Sequence, residues 1–201
     1  MAIEFKRTSY DGYMPTIWRG ECKILPGGFK PVQSFATGTV LRRGTPILVD
    51  FETMTAGVVK AAKVEAGGTT AKPRVTKNSH LSIGDKVMSL GGEDQKTVSS
   101  IDTSNSAYDV LTLSGAITGL AEGDILQESE EVETVIQPRF EAPNMIVGAD
   151  LEFTGRGIPT IDAAYEAVVL YNIVSYPLVD DWMLNGGPCL KLNPNIVFIK
   201  Q

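Results

Sequence analysis

Apolar residues in this chain occur in short runs of strand length, and glycine, proline or small polar residues separate the runs. Residues 38–49, 58–64 and 195–200 are examples, and β-branched residues are frequent in them. Strands are typically about five or six residues long and end at such turn formers, whereas an amphipathic helix needs a longer run with a period of about 3.6. The pattern therefore predicts a mainly β fold of short antiparallel strands, with at most one or two short helices.

Two stretches raise a choice between helix and strand. Residues 58–64 contain alanines that suit a helix, but their β-branched residues and the flanking glycines favour a strand. In residues 160–169, Thr160 could cap a short helix, or the segment could continue as a strand. The sequence leaves the second choice open.

Residues 75–127 have a rhythm of their own, in which strand-sized apolar pieces alternate with short polar loops. A Gly-Asp pair followed by a strand-like run occurs twice, at Gly84-Asp85 and at Gly123-Asp124. Glycine permits a positive φ and aspartate accepts hydrogen bonds from nearby backbone N–H groups, so both pairs are predicted to be turns. A small β-barrel-like subdomain is the expected result.

This rhythm divides the chain into two parts. We predict a core made of residues 1–72 and 129–201, which includes an N-terminal arm, and an inserted β-subdomain at residues 73–128. Small residues at 68–78 predict a linker on one side of the insertion, and the acidic run at 128–133 is typical of a solvated connector on the other.

The first 35 residues place aromatic side chains among turn formers, so regular structure is not expected there. Tyr13, Ile17 and Trp18 must nevertheless pack on something. The core of their own domain is the more frequent destination. The alternative is an arm that docks on a neighbouring subunit or a capsid, where Tyr and Trp are favoured anchors.

Charge and composition narrow the classes of partner. The formal net charge is −6, and the basic clusters are short and followed by acidic sequence, so nucleic acid is not an expected partner. No apolar run reaches the ~20 residues of a membrane helix, and the first residues lack the apolar core of a signal peptide. We therefore expect no membrane partner and synthesis in the cytoplasm. Two isolated cysteines, Cys22 and Cys189, make no disulfide framework.

The sequence lacks a recognisable catalytic constellation, and we expect neither enzymatic activity nor a cofactor nor a bound metal. His80 is the only histidine, and it precedes the first Gly-Asp turn, where a histidine commonly hydrogen-bonds the loop. Asp180 and Asp181 beside Trp182 could serve a glycan hydrolase, but adjacent strand residues point to opposite faces, and a turn with a buried Trp is the simpler interpretation. A carbohydrate-binding or adhesion module, with Trp18 or Trp182 as the sugar platform, is a further alternative.

Over residues 30–201 the sequence resembles bacteriophage head fibre and head decoration proteins. The resemblance rests on turn-and-strand patterns at residues 35–47 and 61–64, on the two Gly-Asp turns with residues 100–102 and 109–114 between them, and on the closing residues 193–199. These patterns are less specific than a metal or nucleotide signature.

The resemblance implies a non-enzymatic virion protein on the capsid exterior. Its implied partners are the lattice of the major capsid protein and further copies of itself, commonly as a homotrimer, with a surface glycan as a further candidate. Stabilisation of the shell and display of an attachment surface are both implied roles. The resemblance carries over no catalytic or ligand-binding residues.

Overall fold

The computed structural model describes residues 17–174 and 176–200. The fold is mainly β, as the sequence predicts, and no helix in these ranges is long and apolar enough to cross a membrane. In chain order the strands are β1 (Trp18–Pro31), β2 (Val40–Leu41), β3 (Pro46–Asp50), β4 (Thr55–Val58), β5 (Ala61–Glu65), β6 (Arg74–Thr76), β7 (Lys86–Ser89), β8 (Gln95–Asp102), β9 (Tyr108–Leu113), β10 (Ile125–Val132), β11 (Val135–Pro138), β12 (Met145–Val147), β13 (Leu151–Glu152), β14 (Ile161–Leu170) and β15 (Ile196–Ile199). The helical segments of the described ranges are three single 3₁₀ turns, one more than the one or two short helices expected: Tyr171–Ile173, Asp180–Trp182 and Leu184–Gly186.

One sheet closes into a first barrel in the order β1-β4-β3-β12-β14, and β14 pairs back with β1. The strands are antiparallel except where β1 meets β4, and β15 adds to β14 in parallel outside the ring. Alternating side chains of these strands fill the interior, as a small barrel requires. The buried residues of this interior include Phe29, Ile47, Val49, Val58, Met145 and Ile161.

Strand β14 is central to the first barrel because it has three strand partners, β1, β12 and β15. On one edge it runs antiparallel to β1, from Trp18 opposite Val169 to Phe29 opposite Ile161. On the other edge it meets β12 and then β15. The helix alternative for residues 160–169 is therefore wrong, because these pairings supply strand partners along both sides of the segment.

A second barrel follows the ring order β10-β5-β6-β9-β8-β7, closed by the pairing of β7 with β10, and every pairing in it is antiparallel. Its core contains ten buried apolar residues, among them Val75, Val87, Leu111 and Leu126. The expected small barrel is thus present. Its strands run from Ala61 to Val132, so they extend beyond residues 73–128 on both sides; the separability of that segment stays a prediction.

The two barrels meet at a third apolar cluster, which the C-terminal segment covers. Trp182, Tyr176 and Leu190 are buried there against β14 and β15. Leu90 and Ile125 of the second barrel pack on the same cluster. This cluster joins the barrels through apolar contacts.

Both Gly-Asp pairs form turns, as predicted. Gly84 and Gly123 have φ of 94° and 92°, and each turn leads directly into a strand, β7 or β10. The Asp85 carboxylate accepts a hydrogen bond of 2.7 Å from Ser82 N–H, and the Asp124 carboxylate accepts one of 2.8 Å from Ala121 N–H.

The described part of the first 35 residues is not irregular, contrary to the expectation. β1 runs for 14 residues and contains register shifts, with Gly20 and Gly27 at φ of 69° and 30°. Such irregularities break the alternation of apolar and polar residues, which explains why the sequence pattern did not indicate a strand. The single strand expected at 58–64 is also divided, because the chain passes from β4 to β5 at Val59 and Lys60.

The acidic run at 128–133 is not a solvated connector. Residues 128–132 continue β10, and Glu128 and Ser129 are buried. The tail of β10 forms a hairpin with β11, and this pairing holds the acidic residues in a strand. The linker expected at 68–78 likewise contains the short strand β6.

Candidate functional site

A buried lysine lies where the chain crosses between the barrels. Lys60, between β4 and β5, is only 2% exposed. Its ammonium lies 2.7 Å from a carboxylate oxygen of Asp85 and 3.9 Å from one of Glu128. It also lies 5.3 Å from the centre of the Phe35 ring. A buried charge is tolerated only when it is paired, and this lysine has two carboxylates and an aromatic face around it.

Glu128 is satisfied from both barrels. One of its oxygens accepts a hydrogen bond of 2.7 Å from Arg139, and the other accepts one of 3.0 Å from the side-chain amide of Gln33. Gln33 also donates to the carbonyl of Val58 at 2.7 Å and accepts from its N–H at 2.9 Å. Gln33 therefore ties the tail of β1 to β4 and to the second barrel at once.

His80 lies beside this cluster at a backbone φ of 59°. Burial lowers its pKa from 6.5 to about 4, and the positive charges of Lys60 and Arg42 contribute further. Its Nε2 lies 3.4 Å from the Thr45 hydroxyl, so the histidine of the second barrel contacts a loop of the first. The imidazole is therefore neutral near pH 7.

The Lys60 cluster, by which we mean Lys60, Asp85, Glu128, Arg139 and Gln33, is a clamp between the barrels. Its charged groups hydrogen-bond or pair with one another rather than facing an open cavity. It fixes the position of Gln33 and Phe35, and these two residues also form part of a surface cleft.

The cleft has a volume of about 520 Å³, within the usual range of about 300–1,000 Å³ for binding sites. Its walls are the chain after β1 and the loop between β13 and β14. Phe35 and Phe153 stack at 4.7 Å between ring centres, and Ile158 on the loop is 78% exposed. The residues that line the cleft include Lys30, Phe35, Glu152, Phe153, Arg156 and Ile158.

Two cations at the cleft have no partner for their side chains among the described residues. Lys30 and Arg156 make only backbone hydrogen bonds there, to Met54 and Thr154. Glu152 is the one acidic residue of the lining. The cleft therefore combines an apolar floor with two cations, and it suits a ligand that carries apolar groups and carboxylates.

Exposed apolar side chains continue beside the cleft. Lys30 and Val32 alternate with the buried Phe29 and Pro31, and the backbone of Lys30 bonds to Met54. Met54, Val32 and Phe51 are all exposed, and the Phe51 ring packs edge-on against Phe29 at 5.6 Å. We call Val32, Phe51, Met54 and Ile158 the apolar rim.

The structure places the predicted contact residues apart from the cleft. Tyr13 lies outside the described residues. Ile17 and Trp18 are half-buried at the start of β1, where the Ile17 carbonyl accepts a 2.7 Å hydrogen bond from Leu170 N–H and Trp18 pairs with Val169. These two residues therefore contribute to their own barrel.

Trp182 is not placed to serve as a sugar platform, either for a carbohydrate-binding module or for a glycan hydrolase. Trp182 is 1% exposed, so its ring is not available to a sugar, and Asp180 and Asp181 lie exposed in the same 3₁₀ turn. The expected turn with a buried Trp is present. Cys22 and Cys189 are free and half-buried, and burial raises the pKa of the Cys22 thiol.

Sequence reasoning missed the cleft and the Lys60 cluster. The sequence pattern predicts Lys60 inside a strand and Glu128 in a connector, and it gives no signal for the cleft loop at residues 154–157. Asp85 was identified as a turn residue, and its second contact, with Lys60, had no local signal. Within the described ranges, no group of three or more His, Cys, Asp or Glu side chains is placed to hold a metal ion.

Comparison of the chain with protein-family models, with curated proteins and with solved structures found no match.

Proposed function

We propose that this chain is a structural protein of a virus particle, which attaches to the outside of a phage capsid as a head fibre or decoration protein. The observation that carries the proposal is the apolar rim beside the cleft. Large apolar side chains exposed together, with polar residues around them, are typical of surfaces that bind other proteins. The sequence resemblance to head fibre and decoration proteins supplies the kind of partner, the lattice of the major capsid protein.

The rigidity of the frame supports this role. Two closed barrels, joined by an apolar cluster and by the Lys60 cluster, form one frame that carries the rim on its loops. A lattice binder gains avidity from many weak contacts repeated around a symmetry axis, and fixed geometry lets those contacts form together. Assembly as a homotrimer belongs to the same proposal.

Binding to shells is the direct test. Empty shells assembled from the major capsid protein of the same genome are sedimented with the purified chain, and we expect the chain in the pellet. Phe51→Ser should weaken binding about tenfold or more, because an aromatic anchor typically contributes ~2 kcal/mol. Leu192→Ser, which alters an apolar residue of similar exposure near the C-terminus, is the matched control and should bind as the wild type does.

Failure of the wild-type chain to sediment with shells would reject the proposal. Equal loss of binding in the two variants would reject the rim as the contact surface. Binding to a glycan array in the absence of shells would favour an adhesion module instead.

A further inference from the structure

The hairpin of β10 and β11 projects from the second barrel. Residues 125–128 of β10 pair with the barrel strands β5 and β7, whereas residues 129–132 pair only with β11. The hairpin ends in a turn at Glu133-Thr134, which has φ of 49° and 75°. Its tip, residues 131–135, is exposed.

The tip combines acidic and apolar side chains. Glu131 and Glu133 make no side-chain hydrogen bond or ion pair among the described residues, and between and beside them Val132 and Val135 are 45% and 60% exposed. Two exposed valines at the end of a hairpin leave apolar area in water. A partner that covers this area would also remove water from the two neighbouring carboxylates, which would then need cationic groups on the partner.

The cleft offers the complementary chemistry. Lys30 and Arg156 lack partners within the described ranges, and Phe35, Phe153 and Ile158 supply an apolar floor and wall. In a chain with a net charge of −6, two cations without partners in one cleft favour an acidic ligand. The hairpin tip carries the matching charges and apolar groups, and it does not line the cleft of its own copy.

We infer that the hairpin tip of one copy of this chain docks in the cleft of a second copy, with Glu131 and Glu133 facing Lys30 and Arg156 and with Val132 and Val135 covering Ile158 and Phe35. The inference deepens the proposed function and rests on it for the view that the chain acts as an oligomer. The donor surface lies on the second barrel and the acceptor on the first, and the contact is heterologous when each copy donates its hairpin to one neighbour and accepts the hairpin of another. Repetition of a heterologous contact gives a ring when its rotation closes, and we infer the closed form with three copies, a trimer.

Charge reversal tests the contact by sedimentation velocity over a range of concentrations. Lys30→Glu with Arg156→Glu should weaken self-association about tenfold or more, and so should Glu131→Lys with Glu133→Lys, because like charges then face each other. A chain that carries all four substitutions should associate again. Lys63→Glu with Lys86→Glu changes two exposed lysines of the second barrel by the same net charge, and this control should associate as the wild type does.

A matched pair of variants tests the apolar part of the contact. Ile158→Ser removes the exposed isoleucine of the cleft wall and should weaken association, whereas Ile83→Ser removes an isoleucine that is 68% exposed on the second barrel and should have no effect. Both side chains lie largely in water in the single chain, so circular dichroism should report the same fold for both variants.

Three results would overturn the inference: a wild-type chain that stays monomeric at all concentrations, cleft variants that associate as well as the lysine control, or a fourfold variant that does not recover. These results are separate from shell binding. A monomer that sediments with shells would reject the inference and the homotrimer but leave capsid attachment standing. An oligomer that does not sediment with shells would reject capsid attachment and leave the contact between copies standing.

Discussion

Lys60 is the residue on which the junction between the barrels depends. Its ammonium neutralises Asp85 and lies near Glu128 in a region where its own side chain is 1% exposed. Loss of one partner from a buried ion pair leaves the other charge without compensation, and this usually costs more than the pair contributes.

We therefore expect Lys60→Met to lower the free energy of unfolding by about 3 kcal/mol at pH 7. Lys63→Met alters an exposed lysine of β5 and should change it by less than about 0.5 kcal/mol. Urea denaturation of both variants measures the difference. A loss below about 1 kcal/mol in Lys60→Met would contradict the view that the cluster clamps the barrels.

His80 makes the stability of the junction depend on pH. Its pKa is about 4 in the folded chain against 6.5 as the ordinary value, so the unfolded chain binds more protons between these two pH values. Stability is therefore fully present above about pH 6.5 and falls as the pH is lowered toward 4. Between pH 7 and pH 5 we expect a loss of about 2 kcal/mol from this residue.

His80→Asn should remove that slope, since asparagine tolerates the positive φ and does not titrate. Urea unfolding of wild type and variant at the two pH values gives the difference directly. Parallel pH profiles for the two proteins would mean that His80 is not buried as described.

At the scale of single strands, Gly57 in β4 allows a close approach. A Cβ at this position would overlap the ring of Phe140, so the strand and the aromatic residue fit only without a side chain. Gly57→Ala should therefore cost about 2 kcal/mol, as overpacking does. Gly28→Ala is the control, because its nearest neighbour is the flexible end of Met54 at 3.3 Å.

Phe140→Leu should restore part of the stability lost in Gly57→Ala, because the smaller side chain frees space beside β4. Thermal unfolding of the two single variants and of the double variant measures this recovery. If the stability losses of the two single variants simply add in the double variant, the overlap with Phe140 is not the cause of the loss in Gly57→Ala.

Local features of strands were predictable from the sequence, and long-range ones were not. The Gly-Asp turns and the last strand follow from turn chemistry and alternation within a few residues. β1 was missed because its register shifts break the alternation over 14 residues. The tail of β10 was missed because an acidic run resembles a connector until its partner β11 is known.

The candidate site could not be predicted from local sequence patterns, because it too depends on contacts between residues far apart in the chain. A lysine in an alternating segment is normally exposed, and the partners that make Lys60 buried lie 25 residues away at Asp85 and farther still at Glu128. The cleft brings the chain after β1 against a loop that follows β13, and no pattern near either segment indicates that contact.

At the scale of the whole molecule, the second barrel is continuous in sequence and the first is not. The second barrel is a wider unit than residues 73–128, because removal of that segment would leave its strand β5 without the partners β6 and β10. The cut ends of a wider excision lie close together: Glu128 N–H bonds to the carbonyl of Lys60, and Arg139 N–H bonds to the carbonyl of Glu128.

We therefore expect a variant in which a short Gly-Ser linker replaces residues 60–139 to unfold cooperatively, as an intact first barrel. The same replacement of residues 73–128 should be less stable, since Ala62 and Leu126 would lose their core. Denaturant unfolding of the two deletion variants decides between these limits. Loss of cooperative unfolding in the wider deletion, with its retention in the narrower one, would favour the boundaries inferred from sequence.

The pairing of β1 with β14 sets an order for folding on the ribosome. All six strands of the second barrel have emerged once Val132 has left the exit tunnel, whereas Trp18 must wait for Val169 before β1 gains its antiparallel partner. Non-local pairings of this kind close late, because the intervening chain must first be ordered. The second barrel is thus expected to fold during synthesis and to shorten the loop that the first barrel must close. Until then β1 is paired only at Lys30 and Pro31, with β4, and the rest of it is an open edge. It is the segment of the nascent chain for which a chaperone would be most needed.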